Sequence, residues 1–281
     1  MLFRSKGVEK DHTEAMYWLQ QAAASRHPEA EFTLGYMHAN GLGVDVDMPQ
    51  ALRWYRRAAE GDHPGALHNI GLLYYKGEEV ERDLDEAIAL FERAAEGNHP
   101  AAQHALATLL RTGEGGTEDL QRAAELLEAA AQQGHMSAQF DLGQMVRRGE
   151  GVEASLIKAI RLYRAAADQG HTLAQYNLAF LLSHAPKPIA SPATAVRYYL
   201  LAAQAGNVDA MVNLGTMYGN GLGVDADPAL AFAWWTLAQD EGAEQAKENL
   251  VKLTADMSAG ELEEGREKLQ ALRERLENGR N

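Results

Sequence analysis

The residues best able to do chemistry in this 281-residue chain are its ten histidines. Five of them, His27, His63, His99, His135 and His171, fall 36 residues apart. Imidazoles in such number suggest metal binding or proton transfer. A metal ion needs ligands converging to about 2 Å. If each period is a pair of packed helices, successive members of the column sit about 10 Å apart, too far to share an ion. The column therefore reads as structural, each ring making a hydrogen bond at a turn. His68 and His104 form a second pair at the same period, where Phe32, Phe140 and Tyr176 stand elsewhere. The same spacing argues against a metal there. No metal site and no cofactor is expected.

Other reactive constellations are missing. The chain has no G-x-S-x-G elbow, no H-E-x-x-H, no phosphate-binding loop and no dinucleotide fingerprint. It has no cysteine, so disulfides and thiolate metal sites are excluded. The most suggestive polar set is a column of Thr33, Asn69, Ala105, Asp141, Asn177, Asn213 and Asn249. A carboxamide both donates and accepts, so Asn69, Asn177 and Asn213 could grip a peptide backbone whatever its side chains. The bland reading is that they tie neighbouring helices together, since buried polar groups are normally paired. Beside them runs a variable column: Tyr36, Leu72, Thr108, Gln144, Phe180 and Thr216. Asn69, Asp141, Asn177, Asn213, Tyr36, Leu72, Gln144 and Phe180 are the candidate partner-binding residues.

These residues are placed by a unit that recurs throughout the chain. Ala30 returns as Ala66, Ala102, Ala138, Ala174, Ala210 and Ala246, and Leu34 as Ile70, Leu106, Leu142, Leu178, Leu214 and Leu250. A fixed period of this length signals a solenoid. Within a unit, Ala30–Ala39 has apolar residues three and four apart, one helix face. Asn40-Gly41-Leu42-Gly43 breaks that helix. A second helix follows from about Met48 to Glu60, and Gly61-Asp62-His63-Pro64 ends it. Asp11, Asp47, Asp83, Asp119, Ser155, Ser191 and Asp227 precede the second helices and are expected to accept a backbone N–H as N-caps. Glu14, Gln50 and Glu86 three residues on would complete capping boxes. Two alanine columns, from Ala15 and from Ala22, run beside a bulky one: Leu19, Tyr55, Phe91, Leu127, Tyr163, Tyr199 and Trp235. Small against large at fixed register lets facing helices interdigitate.

The A-x-x-x-L-G pattern, the G-x-G-V loop, the D-x-x-x-A start and the W-Y-x-x-A-A-E-G-x-H ending resemble the Sel-one-like repeat family, a branch of the tetratricopeptide-repeat group. The resemblance covers about residues 5 to 245. It implies an all-α, right-handed superhelix of 36-residue antiparallel helix pairs. It also implies that the first helices line a concave groove and that the protein is an adaptor or regulator rather than an enzyme. Local departures are Ala107 and Ala179 for Gly35, and Glu79 and Lys187 for Gly43. Some relatives are cysteine-rich secreted proteins, for which hydrolase activity has been suggested; this chain is not of that subtype.

With 26 Lys and Arg against 40 Asp and Glu, the net charge is −14. Nucleic-acid binding needs a basic patch, and Arg53, Arg56, Arg57 or Arg147, Arg148 are the largest basic groups. An acidic body suits a basic partner. No apolar run approaches a membrane span.

Residues 1–29 read as half a repeat with a loop around Gly7, 30–245 as six repeats, and 246–281 as terminal helices that cover the end of one continuous domain. Met1-Leu2-Phe3-Arg4 aligns with the end of a first helix, so the sequence opens in mid-repeat. The chain as given is expected in the cytoplasm, or in the periplasm if a leading signal segment is missing from it. The fifth repeat replaces the glycine loop by Ser183–Pro192, with three prolines that stiffen it. The functional expectation is a non-enzymatic scaffold that binds a protein or peptide, with an unspecified oligomeric state. An inhibitor or immunity protein that sequesters a bacterial enzyme or toxin is the sharper form. Cell-wall glycan binding and hydrolysis are the rivals, and both are weakened because Tyr198, Tyr199, Trp234 and Trp235 fall in packing columns.

Overall fold

The computed structural model describes residues 12–280. Asp11, the loop around Gly7 and the opening half helix lie outside the described residues. Among the described residues there are fifteen helices and no strand. They are α1 (His12–Ala24), α2 (Pro28–Asn40), α3 (Met48–Glu60), α4 (Pro64–Lys76), α5 (Leu84–Glu96), α6 (Pro100–Thr112), α7 (Leu120–Gln132), α8 (Met136–Arg148), α9 (Leu156–Ala167), α10 (Thr172–His184), α11 (Pro192–Gln204), α12 (Val208–Asn220), α13 (Pro228–Asp240), α14 (Glu244–Asp256) and α15 (Ala259–Arg280). Two compact units are present: residues up to 138 with 149–153, and 139–148 with 154 onward. In each, consecutive helices pack on one another, giving an all-α solenoid of helix pairs.

In four pairs a glycine of the first helix meets a member of the bulky column. A Cβ added at Gly35 would lie 2.6 Å from the Tyr55 ring, at Gly71 2.7 Å from Phe91, at Gly143 2.8 Å from Tyr163 and at Gly215 2.5 Å from Trp235. Each glycine therefore lets a buried ring lie flat against the helix backbone. Ala107 departs from glycine in the repeat whose large residue is the smaller Leu127, so the extra methyl has room. The alanine columns are fully buried from Ala51 and Ala58 through to Ala231 and Ala238.

Five of the expected second-helix caps form. Asp47, Asp83, Asp119, Ser155 and Asp227 accept from the amides of Gln50, Glu86, Arg122, Lys158 and Leu230. Ser191 does not; its Oγ instead lies 2.7 Å from Thr194 Oγ1. The capping boxes expected at Gln50 and Glu86 are also absent, and the reason is the backbone. The Asp47 amide already donates to His38 O at 2.9 Å and the Asp83 amide to Tyr74 O at 3.0 Å, so no N–H is left for the side chain to reach. The same bond recurs from Asp119 to Leu110, Ser155 to Val146, Ser191 to Leu182 and Asp227 to Tyr218.

Gly61-Asp62-His63-Pro64 ends the second helix as expected. The left-handed residue is not Gly61 (φ −95°) but the one after it. Arg26, Asp62, Asn98, Gly134, Gly170, Gly206 and Gly242 all have φ between 53° and 95°. Gly61 is needed for another reason: Pro28 packs where its side chain would be.

One feature was not anticipated. Glu31, buried at 2% exposure, pairs with Arg57 at 2.7 Å, and Arg57 lies over the Trp54 ring and donates to Ala23 O. At the equivalent position in later repeats, Gln103 accepts from Gln133 and Gln139 accepts from Gln169, at 3.0 and 2.8 Å. At the C-terminal end, α15 packs on α13. Gly265 meets Phe232, Lys268 pairs with Asp227 at 2.6 Å and Arg273 with Asp240 at 2.6 Å. Leu269 and Leu276 are buried there, and Ser258 and Glu261 form the capping box that starts the helix.

Two substitutions test this account. Gly71→Ala should destabilise by about 1–2 kcal/mol in urea unfolding, because displacing the Phe91 ring outweighs the gain in helix propensity. Asp83→Ala should cost about 1 kcal/mol, while Ser191→Ala should cost less than half of that because no cap bond is lost.

Candidate functional site

The histidine column lies at the starts of the first helices. The Nδ1 atoms of His63, His99, His135 and His171 accept from the amides of Ala66, Ala102, Ala138 and Ala174 at 3.2–3.3 Å. Asn207 does the same for Ala210 at 2.8 Å, whereas His27 makes no such bond. The expected turn hydrogen bond is thus an N-cap. Each ring also packs against a ring on the first helix of the preceding repeat: Phe32 stacks on His63 and Phe140 on His171, while His68 lies tilted on His99 and His104 on His135, with centroids 4.3–5.0 Å apart. Burial and then the neighbouring His99 lower the pKa of His68 to about 4. Among the described residues no group of three or more His, Asp or Glu side chains could hold a metal ion.

The candidate carboxamides divide. Asn69 hydrogen-bonds the Tyr55 hydroxyl in the preceding repeat, and its Oδ1 lies 3.3 Å from His68 Nδ1. Asn213 on α12 hydrogen-bonds Tyr176 on α10. Both tyrosine hydroxyls are pushed up in pKa, chiefly by burial, and stay neutral. These two carboxamides tie repeats together. Asn177 is half-buried on α10. Thr33 is buried and returns its hydroxyl to Glu29 O at 2.8 Å, within its own helix. Asp141 is half-buried, and its charge opposes the burial that lowers His171.

The variable column divides too. Tyr36 and Phe180 are each 41% exposed. Leu72 is partly buried against the cluster of Ala87, Phe91, Leu106 and Leu109, and Gln144 is half-buried. Tyr36, Asn69 and Leu72 belong to the first unit; Asp141, Gln144, Asn177, Phe180 and Asn213 belong to the second.

Within the second unit, α10 carries the most open face. Leu173, 51% exposed, stands one turn before Asn177, and Phe180 and His184 follow on the same side. Tyr176, Phe180 and His184 stack in series, with centroids 6.4 and 4.3 Å apart. On one flank α8 places Phe140 on the His171 cap of α10, and on the other Asn213 of α12 reaches Tyr176. Leu173 was not among the residues singled out above. Its column reads Glu29, Gly65, Ala101, Ser137, Leu173, Asp209, so a large apolar side chain among small and polar ones was the signal.

A hydroxyl–imidazole contact occurs at Ser183 Oγ and His184 Nδ1, 2.8 Å apart. Both atoms also face the Phe180 carbonyl at 3.0 Å. A ring nitrogen that donates to a carbonyl cannot take a proton from serine, so the pair closes the end of α10 and is no nucleophile and base. No described helix is long and apolar enough to cross a membrane.

Helix pairs at a constant period, with aromatic and imidazole rings threaded between them, define an α-solenoid repeat protein. The Sel1 repeat model matches residues 1–27, 28–63, 64–99, 100–135, 137–171, 172–207 and 208–242, and the chain belongs to the Sel1 repeat family. Its structure is similar to that of c5321, described as a protective antigen present in uropathogenic Escherichia coli strains displaying an SLR fold. The two share 28% identity and a TM-score of 0.79 over 95% of this chain and 58% of that one. The chain thus spans little more than half the length of that protein. A Sel1 repeat protein from Oxalobacter formigenes is 33% identical, with a TM-score of 0.69 over 82% of this chain and 94% of that one. The immunity protein Pa5087 from Pseudomonas aeruginosa is 20% identical with a TM-score of 0.40, over 89% of this chain and 86% of that one, too distant to bear on function. No curated protein matches the chain by sequence.

The two kinds of carboxamide differ in what their loss would do. Asn69→Ala should cost about 1–2 kcal/mol in urea unfolding, since it strands the buried Tyr55 hydroxyl. Asn177→Ala should change stability by less than about 0.5 kcal/mol.

Proposed function

We propose that the protein is a non-enzymatic scaffold that holds an extended segment of a partner protein against its first helices. The observation that carries this reading is the α10 face, where Leu173 and Phe180 stay 51% and 41% exposed around a half-buried Asn177. The equivalents of Leu34 and Ala30 on the opposite side of the same helices are buried throughout. Large apolar side chains left open beside a carboxamide suit a peptide. The apolar surface takes a side chain, and the amide pairs with the backbone.

In this reading Asn177, Phe180 and Leu173 form the centre of the binding face, with Gln144 and Asp141 on α8 and Asn213 on α12 at its borders. Tyr36, 41% exposed on α2, is a separate candidate contact of the first unit. The net charge of −14, with Asp141 and Asp209 beside the face, favours a basic segment. Family membership supports the scaffold class and leaves the partner open.

The test is affinity capture from the source organism, followed by titration of the captured partner. Leu173→Ser with Phe180→Ser should weaken binding at least about 30-fold, the loss expected of buried anchor residues. Arg161→Gln, on the exposed side of α9, should leave it within about twofold. A partner that binds the double variant as tightly as the wild type would place recognition elsewhere.

A further inference from the structure

We propose that the imidazoles of the first unit form an acid-sensitive spine centred on His68 and His99, whose protonation uncaps α6 and loosens that unit while α12, capped by Asn207, keeps its cap. The inference goes beyond the scaffold reading and rests on the geometry of His63, His68, His99, His104 and His135.

Three of these rings cap helices through Nδ1, accepting from Ala66, Ala102 and Ala138. An Nδ1 that accepts has its lone pair free, so the ring is neutral and its hydrogen sits on Nε2. His63 agrees, with Nε2 2.9 Å from the Glu29 carboxylate. A proton on Nδ1 would set donor against donor. It would also put a cation at a helix N-terminus, where the dipole disfavours it.

The remaining two rings lie against the caps. His68 packs, tilted, against His99 and His104 against His135, each at 5.0 Å between centroids. Around His68, burial and the rings of His99, His135 and His104 all resist protonation, and the Asn69 carboxamide alone favours it. Around His99, burial is reinforced by His63. Glu29 is the opposing charge, and it touches His63 at the far end of the column from an exposed position.

The sign follows from linkage. The unfolded chain takes up protons near the ordinary histidine value of 6.5, whereas folded His68 resists until about 4 and folded His99 is also depressed. The stabilising contribution is therefore complete above pH 6.5 and is lost as pH falls toward 4. The second unit is built differently. Its α10 is still capped by an imidazole, His171, but α12 is capped by Asn207, which does not titrate.

The experiment is amide hydrogen exchange on the full chain from about pH 7.5 to about pH 4.5, corrected for intrinsic rates. Ala102, capped by His99, is compared with Ala210, capped by Asn207. Protection at Ala102 should fall about 100-fold or more, and protection at Ala210 less than about tenfold. His68→Phe with His104→Phe installs the residue type found at positions 32 and 140 and should hold Ala102 within about tenfold of its neutral value. If that variant does not fold, His99→Asn supplies the cap used at position 207 and carries the same expectation. Parallel loss at Ala102 and Ala210, no loss at Ala102, or an unchanged pH profile in the folded variant would each overturn the proposal.

Discussion

The hydrogen bond from each second-helix cap amide to a carbonyl near the end of the helix before it governs the rest of the structure. Twelve- and thirteen-residue helices are marginal by themselves. Here the cap residue serves both helices of a pair. Its side chain closes the first turn of its own helix, and its backbone locks that turn to the preceding one. The loop between them must keep its length for the bond to form. The fifth repeat makes the point: prolines replace the glycines and the Ser191 side chain leaves its cap, yet the Ser191 amide still reaches Leu182 O at 2.8 Å.

That bond is also where the sequence is least informative. Helix pairs, the buried alanines and the small-against-large contacts could be read because each depends on side-chain size at a fixed period. The N-caps could be read because only a few side chains accept so close to their own backbone. A backbone amide is present at every residue, so nothing in the residue types reveals that it has a partner. Capping boxes at Gln50 and Glu86 were expected for that reason and do not form. The candidate face was legible in part. Phe180 and Tyr36 are open as their column suggested, but identical asparagines play different parts. Asn69 and Asn213 find tyrosines, one from a second helix and one from a first helix, and a column of like residues cannot say which neighbour each meets.

The two units fill the same ring positions with different chemistry. In the first, imidazole lies on imidazole twice and phenylalanine once; in the second, phenylalanine and tyrosine take these positions and the rings continue outward along α10 through Phe180 to His184. The scaffold is indifferent to this choice, since an imidazole and a benzene ring fill similar space against the same helix turn. Such positions can diverge in charge and polarity without disturbing the fold, which leaves them open to change for reasons other than packing.

The left-handed residue at each repeat junction has a consequence for how such chains can be recombined. At the first three junctions it is Arg26, Asp62 or Asn98, and the side chains of the latter two bridge to Arg93 and to Gln103 and Gln133. From Gly134 onward it is glycine, and the tether moves one residue back, to Gln133 and Gln169, which reach Gln103 and Gln139. Turn and tether are therefore inherited together, across the point where the 36-residue period starts anew. A crossover at that boundary would separate them and leave a strained turn or an unmatched amide. A crossover in the middle of a helix would keep both, so the module that can be shuffled intact is offset from the repeat seen in the sequence.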